Sequence, residues 1–530
     1  MTTHRYDAIV IGGGHNGLVN AAYLARAGKK VVVLERRHLV GGAAVTEEVV
    51  PGFKFSVFSY VVSLLRPEVI RDLDLPRHGL EILPLESTVT PMFNGDYLAG
   101  WADHDATRRE YVRHSLRDAE AYDDYGKLMH HMAMAVKPIL AMVPPDPTSL
   151  APSDLRGLLT MGKHFGSLDK KHFHALYKLM TMSAGDFLDE WFETDVIKAT
   201  RSASGIIGTF MGPRTPGSAY VLLHHYMGEI DGAFRAWGFA KGGTGMISES
   251  IASAARAAGA HIVLNAGVSK VLSRDGRTSG VVLDNGDEYH ANVVVTSLDP
   301  KRSFLKLVDM AQLPAEFVDD IRKYKIRGSS GKVNLALHAL PEFTCMPGIG
   351  PHHRGAMSIS PSMEYVERAY DDAKYGNFSK EPYMDIIFPS AIDPNMAPTG
   401  KHVMSVFVQY APSNITGGWD ATKREAFGDA VINAIARFAP KIRDQIIHRQ
   451  VMTPQDIEDI TGLTEGNIFQ GELALHQLFF LRPAPGWARF RTPIKGLYQC
   501  GSATHPGGGI MGAGGRLAAL EILKDVGGSR

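Results

Sequence analysis

The sequence predicts an α/β fold built around a parallel sheet, with a mixed α+β region and a helical region inserted into it. Three observations predict this. The first forty residues have the pattern of a βαβ unit, a similar pattern returns near residue 238, and the chain closes with a short strand, a glycine run and a helix. Alternating strands and helices favour a parallel sheet, here with strands from distant parts of the chain.

The N-terminal unit consists of a strand, a helix and a second strand. The first strand is predicted at Tyr6–Ile11 and the second at Lys30–Leu34. Between them, apolar residues at helical spacing predict a helix over Asn16–Ala27. Gly28 ends this helix as a left-handed C-cap residue.

The middle of the chain changes character twice. From about Leu98 to Phe234, Met, His, Lys and Asp recur at helical spacing, which predicts a mostly helical insertion. The α/β pattern then predicts a helix at Gly243–Ala258, strands at His261–Leu264, Val268–Leu272, Gly280–Leu283, Glu288–Ala291, Val293–Thr296 and Leu497–Cys500, and a last helix at Ala513–Leu523. Residues 301–489 are mixed and rich in proline, and their pattern does not order them.

Composition argues against several classes of protein. Lys plus Arg and Asp plus Glu both number 56, and this zero net charge does not suit a nucleic-acid-binding surface. Cys345 and Cys500 are the only cysteines and lie far apart, which argues against a dithiol relay and fits a reducing, cytoplasmic compartment. Neither a secretory signal nor a transmembrane helix is expected. The apolar segment Met132–Val143 is predicted as a buried helix, with an interfacial membrane anchor as the alternative.

No metal site is predicted. Adjacent histidines such as His130-His131 and His224-His225 point about 100° apart on a helix, so they do not share a face. They are expected to be core or surface residues.

A glycine turn lies between the first strand and the first helix, with the pattern Gly12-x-Gly14-x-x-Gly17. The first glycine permits the tight turn, the second lets a phosphate approach the backbone, and the third lets the helix pack closely on the strand. A pyrophosphate there meets free N–H groups at a helix N-terminus. Glu35 ends the next strand, where a carboxylate accepts bonds from ribose hydroxyls and disfavours a 2′-phosphate. The motif predicts a Rossmann-type site for FAD or NAD rather than NADP.

Two further glycine clusters favour FAD over NAD. An NAD-binding fold does not require the pair Gly41-Gly42, which suits a loop close to a pyrophosphate or a flavin ring. The run from Gly501 to Gly515 stands before a helix and suggests backbone packed against a flat ligand. A flexible loop is the alternative, but a strand and a helix flank this run closely.

Together, these motifs resemble the phytoene desaturase branch of the FAD-dependent, amine-oxidase-like flavoproteins. The segments Ser59–Pro67 and Gly509–Gly512 match one subgroup of that branch. The resemblance implies a Rossmann-type FAD domain and cofactor contacts by Gly12, Gly14, His15, Asn16, Gly17, Glu35, Arg36, Gly42, Ala43, Ala44, Val268, Gly501, Ser502, Gly509, Ile510 and Met511. Related reductases carry Asp at the position of Ser502. Carotene desaturases carry Pro where this chain has Met511, which disfavours a carotenoid substrate.

The resemblance also implies a division of the chain. Residues 1–97, 238–300 and 490–530 are expected to form a discontinuous FAD domain. Residues 98–237 are expected to form a largely helical lid, and residues 301–489 a substrate-binding domain.

The expected activity is dehydrogenation or desaturation of a hydrophobic small molecule by hydride transfer to flavin N5. Amine oxidation, a carotenoid ketolase or isomerase, and an FAD-bound regulatory protein are the alternatives. His505 opens a glycine run and is predicted as the catalytic group beside the flavin, with bracing of the loop as the alternative. Lys241–Gly245 lacks the spacing of a second dinucleotide fingerprint, so oxygen, a quinone or another diffusible acceptor is expected to reoxidise the flavin. Peripheral membrane contact and homo-oligomerisation are left open.

Overall fold

A computed structural model describes residues 3–230, 232–234 and 236–527. The fold contains the predicted parallel sheet, which has five strands from distant parts of the chain. The strand order is His261–Val263, Val31–Leu34, Ala8–Ile11, Val293–Thr296 and Leu497–Gln499. The three central strands are buried along their whole length, which is why they consist almost entirely of apolar, β-branched residues.

Three helices pack around this sheet. His15–Arg26 contacts both Gly245–Ala257 and Ala513–Gly527. Gly28 follows the first helix with φ of 79°, the left-handed conformation predicted for it. The helix N-termini at His15 and Ala513 therefore come from opposite ends of the chain and meet on one side of the sheet.

A four-stranded sheet flanks the Rossmann sheet and contains the predicted meander. Its order is Thr3–Arg5, Glu288–His290, Arg277–Leu283 and Val268–Arg274. The first strand, predicted at Tyr6–Ile11, is Ala8–Ile11 and enters the parallel sheet, whereas Thr3–Arg5 is a separate strand before it that pairs with the meander. Shorter pairs join Thr46–Val50 with Phe53–Ser56, Ile82–Pro84 with Gly238–Ala240, and Glu229–Ile230 with Ala233–Phe234.

The predicted helical segment is helical in the structure. Its helices are His104–His114, Leu116–Leu140, Pro152–Gly166, Lys170–Thr181, Ala184–Asp189, Asp195–Ser202 and Ser218–Tyr226. The apolar segment that starts at Met132 forms the end of the second of these helices and packs its Met132 and Val136 side chains in a buried cluster. In the part of the chain that the structure describes, no helix is long and apolar enough to cross a membrane.

A seven-stranded sheet forms the second large layer. Its order is Ile446–Met452, Ser330–Leu337, His402–Gln409, Tyr383–Ile387, Ala356–Ile359, Ser87–Pro91 and Tyr97–Trp101. Helices Pro67–Asp72, Pro300–Arg302, Ala315–Lys323, Met363–Lys374, Pro389–Ile392, Ala421–Ala436, Ile442–Gln445 and Pro454–Thr461 complete the chain.

The predicted segment boundary at residue 97 falls inside an element of the structure. It cuts through the hairpin formed by Ser87–Pro91 and Tyr97–Trp101. This hairpin belongs to the seven-stranded sheet, because Thr88 and Val89 pair with Ala356–Ile359 from the distant 301–489 segment. The other boundaries stay a prediction.

Candidate active site

The glycine turn has the geometry that each glycine was expected to provide. Gly12 has φ of 91°. A Cβ placed on Gly17 would lie 2.2 Å from the carbonyl oxygen of Gly12, so the third glycine permits the close packing of helix on turn. A Cβ on Gly14 would meet no protein atom within 4 Å. The second glycine therefore faces open space, where a pyrophosphate can approach the backbone.

The second glycine pair lies directly against this turn. The Gly41 N–H donates to the Gly13 carbonyl at 2.8 Å. A Cβ on Gly42 would lie 3.5 Å from Gly14 Cα, and Gly42 has φ of 60°. The loop is anchored farther along by Ser248, whose hydroxyl donates to the Ala44 carbonyl at 2.8 Å. The loop that contains Gly41, Gly42 and Ala44 is thus held beside the open space at Gly14.

Glu35 is oriented by backbone hydrogen bonds. Its Oε2 accepts the N–H of Gly13 at 2.7 Å, and its Oε1 accepts the N–H of Arg37 at 2.8 Å. The residue is only 7% exposed. A carboxylate oxygen has two lone pairs, so each oxygen keeps one for a ribose hydroxyl.

The C-terminal glycine run is tied to the N-terminal turn through Asn16. The Asn16 side-chain amide donates to Ser502 Oγ at 3.2 Å, and its Oδ1 accepts the N–H of Gly515 at 3.2 Å. Ile510, in the same run, has φ of 57°. Positive φ is unfavourable for a β-branched residue and costs of order ~1–3 kcal/mol. Such strain is typical of segments held in place around a ligand.

These elements enclose a cavity of about 1290 Å³, part of which is open to solvent. The predicted contact residues that line it are Gly12, Gly14, His15, Asn16, Glu35, Gly42, Ala43, Ala44, Ser502, Gly509 and Ile510.

Five predicted contacts do not line this cavity. Gly17 and Gly501 are packed against backbone instead, since a Cβ on Gly501 would lie 2.5 Å from the Ser297 carbonyl. Arg36 donates to the carbonyls of Asp459 and Ile460. Val268 begins a meander strand, and Met511 is buried in the helical cluster. For these five residues, cofactor contact stays a prediction.

His15 provides a test of whether the cavity suits a dinucleotide. Its Nε2 is buried and has no hydrogen-bond partner in the protein, and burial lowers the pKa of the ring to about 4. The imidazole is therefore neutral, and it stands at the start of the helix that opens from the glycine turn. An unsatisfied polar atom at this place fits a polar group of a bound cofactor.

A second cavity, of about 1740 Å³, adjoins the first. The two cavities share a wall formed by Tyr60, Val61, Ile207, His225 and Trp237. Beyond this shared wall, the second cavity is lined mainly by aromatic, aliphatic and hydroxyl-bearing side chains. These include Leu85, Leu98, Trp101, Tyr111, Tyr122, Arg201, Tyr226, Phe234, Ser358, Tyr383 and Asp385.

Tyr60 links the shared wall to a buried carboxyl group. Its hydroxyl donates to Asp385 Oδ2 at 3.0 Å, and its ring stacks on Phe407 with centroids 5.3 Å apart. Burial raises the pKa of Asp385, although hydrogen bonds from Tyr383, Tyr60 and Ser358 oppose the rise. The Asp385 carboxylate is therefore a stronger base than an exposed one. Sequence reasoning missed Asp385, although Tyr60 lies in a segment that it singled out.

His225 lies in the shared wall and was also missed as a site residue. Its ring Nδ1–H donates to the Val221 carbonyl at 2.9 Å, and the ring stacks on Trp237 with centroids 6.0 Å apart. Burial lowers its pKa to about 4, so it is neutral. The expectation of a core histidine describes its burial but not its place between two cavities.

The catalytic role of His505 stays a prediction that this geometry does not support. His505 lines neither cavity. Its Nε2–H donates to the Ile139 carbonyl at 2.9 Å, near the end of helix Leu116–Leu140. Burial lowers its pKa to about 4. The alternative, a brace between the glycine run and the helical region, describes what the side chain does.

The histidine pairs show no metal-ligand geometry. Among the residues that the structure describes, no group of three or more His, Cys, Asp or Glu side chains could hold a metal ion.

The site combines a Rossmann sheet with a glycine turn that is open at Gly14 and with a carboxylate placed for a ribose. A second layer lies beside the cofactor cavity. This combination is that of an FAD-dependent oxidoreductase. The flavin containing amine oxidoreductase family matches residues 183–523, so the chain belongs to this family and its cofactor is FAD. An NAD(P)-binding Rossmann-like domain matches residues 10–73, the segment that contains the glycine turn and Glu35.

Relatives match along nearly the whole chain. Pyridine nucleotide-disulfide oxidoreductase domain-containing protein 2 of Rattus norvegicus is 41% identical over 98% of this chain and 94% of its own length. A limonene dehydrogenase subunit of Castellaniella defragrans is 28% identical over 98% of this chain and 95% of its own length. The solved structure of putrescine oxidase bound to putrescine has a TM-score of 0.61 at 16% identity, over 99% of this chain and all of that chain, and shows the shared fold.

Proposed function

We propose that the protein dehydrogenates or desaturates an apolar small molecule, which reaches the flavin from the second cavity. The observation that carries this proposal is the shared wall of Tyr60, Val61, Ile207, His225 and Trp237. A ligand in the second cavity lies next to the cofactor cavity, and much of its surroundings is aromatic or aliphatic. The name of the limonene dehydrogenase relative, which matches almost the full chain, supports an apolar substrate.

When bound, FAD supplies hydride acceptance at its N5 atom. The protein contributes the position of the substrate and a group to receive a proton. Loss of H₂ from a C–C bond removes a hydride and a proton. Asp385 lines the second cavity, and the raised pKa of its carboxyl group suits it to accept that proton. Tyr60 holds the carboxyl group in place through its hydroxyl.

Reoxidation by oxygen, a quinone or another diffusible acceptor remains part of the proposal. Its support is the conformation of the loop Lys241–Gly245, which opens helix Gly245–Ala257. A Cβ on Gly243 would lie 2.2 Å from Thr46 Oγ1, and the Gly245 N–H donates to the same oxygen at 3.0 Å. This loop is packed against protein and does not offer an open cradle to a second dinucleotide.

Amine oxidation is placed second. The family description includes it, but the second cavity carries the Arg201 guanidinium as well as the Asp385 carboxyl group, so its charges do not select a protonated amine.

Anaerobic mixing tests the proposal. We expect terpene or acyl compounds to bleach the visible flavin band of the wild-type protein. Asp385→Asn is expected to keep its FAD and bleach at least ~100-fold more slowly, since general-base catalysis contributes about 10²–10⁴-fold. Asp275→Asn is the matched control, because that side chain is 92% exposed. Bleaching by amines alone, or equal rates in all three proteins, would contradict the proposal.

A further inference from the structure

Arg201 is a buried cation with no acidic partner among the residues that the structure describes. It lies in helix Asp195–Ser202, is 5% exposed, and lines the second cavity. Within the described residues, no carboxylate forms an ion pair with it. A buried charge without a counter-charge is unfavourable, so proteins pair such groups or provide them with a ligand.

The immediate surroundings of Arg201 are phenols and aromatic rings. Its Nε and Nη2 donate to the Tyr111 hydroxyl at 3.0 and 2.6 Å, and its Nη1 donates to the Tyr226 hydroxyl at 2.7 Å. The rings of Tyr111, Tyr122, Tyr125 and Phe192 surround its Cζ at 5.0–5.5 Å. A guanidinium has five N–H donors, and these three bonds leave two. The rings stabilise the charge without neutralising it.

A second buried guanidinium shows what a purely structural arginine looks like in this protein. Arg482 is fully buried, has no carboxylate partner in the part of the chain that the structure describes, and lies outside both cavities. Its terminal nitrogens donate to backbone carbonyls of five residues: Phe469, Gly471, Glu472, Gln477 and Ser502. Arg482 is thus enclosed by peptide dipoles, whereas Arg201 borders space for a ligand.

We infer that Arg201 binds a carboxylate of the substrate, which would make the substrate an apolar acid. The inference rests on the proposed function and specifies its substrate class. A carboxylate matches the single charge of one guanidinium in a cage of neutral phenols, whereas a phosphate dianion would leave excess negative charge. Two free N–H groups suit the two oxygens of a carboxylate. The hydroxyls of Thr107 and Tyr122 also line this cavity, and Leu98, Trp101 and Phe234 surround the apolar body.

Binding of probe compounds to the FAD-loaded protein tests the inference. Decanoate, methyl decanoate and decan-1-ol have the same apolar chain and differ in charge. We expect calorimetric titration to show decanoate bound at least ~10-fold more tightly than the ester or the alcohol. Arg201→Met is expected to remove this preference and to leave alcohol binding unchanged. Arg201→Lys, which keeps the charge but loses the fork, is expected to be intermediate. Arg274→Met is the matched control, because Arg274 is 91% exposed.

Three results would overturn the inference: no decanoate binding by the wild type, equal affinity for all three probes, or an unchanged preference in Arg201→Met. If that variant does not fold, the wild-type preference and Arg201→Lys still decide. Binding does not depend on turnover, so the two proposals fail separately. Selective decanoate binding without flavin bleaching by any candidate compound would contradict only the proposed function. Bleaching by neutral apolar compounds without any decanoate preference would contradict only the role of Arg201.

Discussion

Gly14→Ala and Gly17→Ala are expected to separate cofactor binding from folding, although the two residues are only three positions apart. Gly14 has φ of −68° and ψ of 164°, which alanine adopts readily, and its Cβ would meet no protein atom within 4 Å. The methyl group would instead project into the space assigned to the pyrophosphate. Loss of one charge-assisted backbone contact costs about 2 kcal/mol, or roughly 30-fold in FAD affinity.

At Gly17 the added methyl meets backbone. The Gly12 carbonyl oxygen would lie 2.2 Å from the new Cβ, well inside van der Waals contact, so helix and turn must move apart. Overpacking of this kind costs about 1–3 kcal/mol of stability, and more where backbone cannot shift. Gly17→Ala should therefore lower the unfolding midpoint even at saturating FAD, whereas Gly14→Ala should not.

Thermal unfolding and FAD titration of the two variants supply the measurements. Gly162→Ala serves as the control, since it adds a methyl to helix Pro152–Gly166 where no atom lies within 4 Å. Equal destabilisation by Gly14→Ala and Gly17→Ala, or wild-type FAD affinity in Gly14→Ala, would refute the assignment of the turn.

Three other predictions follow from single side chains. Glu35→Ala should weaken FAD binding about 10-fold with the fold intact, and unchanged affinity in a flavin titration would remove Glu35 from the ribose role. His505→Gln should lower stability by about 1 kcal/mol while leaving the rate of flavin reduction unchanged; slower reduction in a stopped-flow assay would restore its catalytic role. Burial lowers the pKa of His224 to about 3 and of His225 to about 4, from 6.5. Below pH 6.5 the unfolded chain takes up these protons and the folded one does not, so stability should fall from pH 6.5 towards pH 4 by about 1.4 kcal/mol per pH unit for each histidine. Urea unfolding at pH 7, 6 and 5 measures this, and constant stability would contradict the buried, neutral state.

The cofactor half of the protein was predictable because its signals are local. Strands such as Val31–Leu34 consist of apolar residues because both faces of the sheet are covered. The glycine turn depends on backbone geometry within six residues, and Glu35 follows from the length of one βαβ unit. Residues 301–489 could not be ordered for the converse reason. Ser330–Leu337 is buried along its whole length yet contains Lys332 and Asn334, so its pattern shows neither alternation nor a simple apolar run.

The substrate side of the site depends on contacts between distant segments. Tyr60 and Asp385 lie 325 positions apart, and only the tertiary fold brings their side chains together. Arg201 could be recognised as a candidate ligand-binding residue only in the structure, which shows the tyrosines around it and no acidic partner among the described residues. The place of the His505 side chain could not be predicted, because its direction depends on helix Leu116–Leu140, which is far from the glycine run in sequence. The spacing of residues along the sequence does not show which distant helix a side chain contacts.

The central claim is that an apolar substrate reaches the flavin from the second cavity, past the residues of the shared wall, and is dehydrogenated there. Anaerobic stopped-flow absorbance of the purified, FAD-containing protein tests it most directly. The account predicts full bleaching of the visible flavin band by apolar compounds, with a rate that saturates with their concentration. A flavin that stays oxidised with every terpene, acyl and amine compound tried would contradict it.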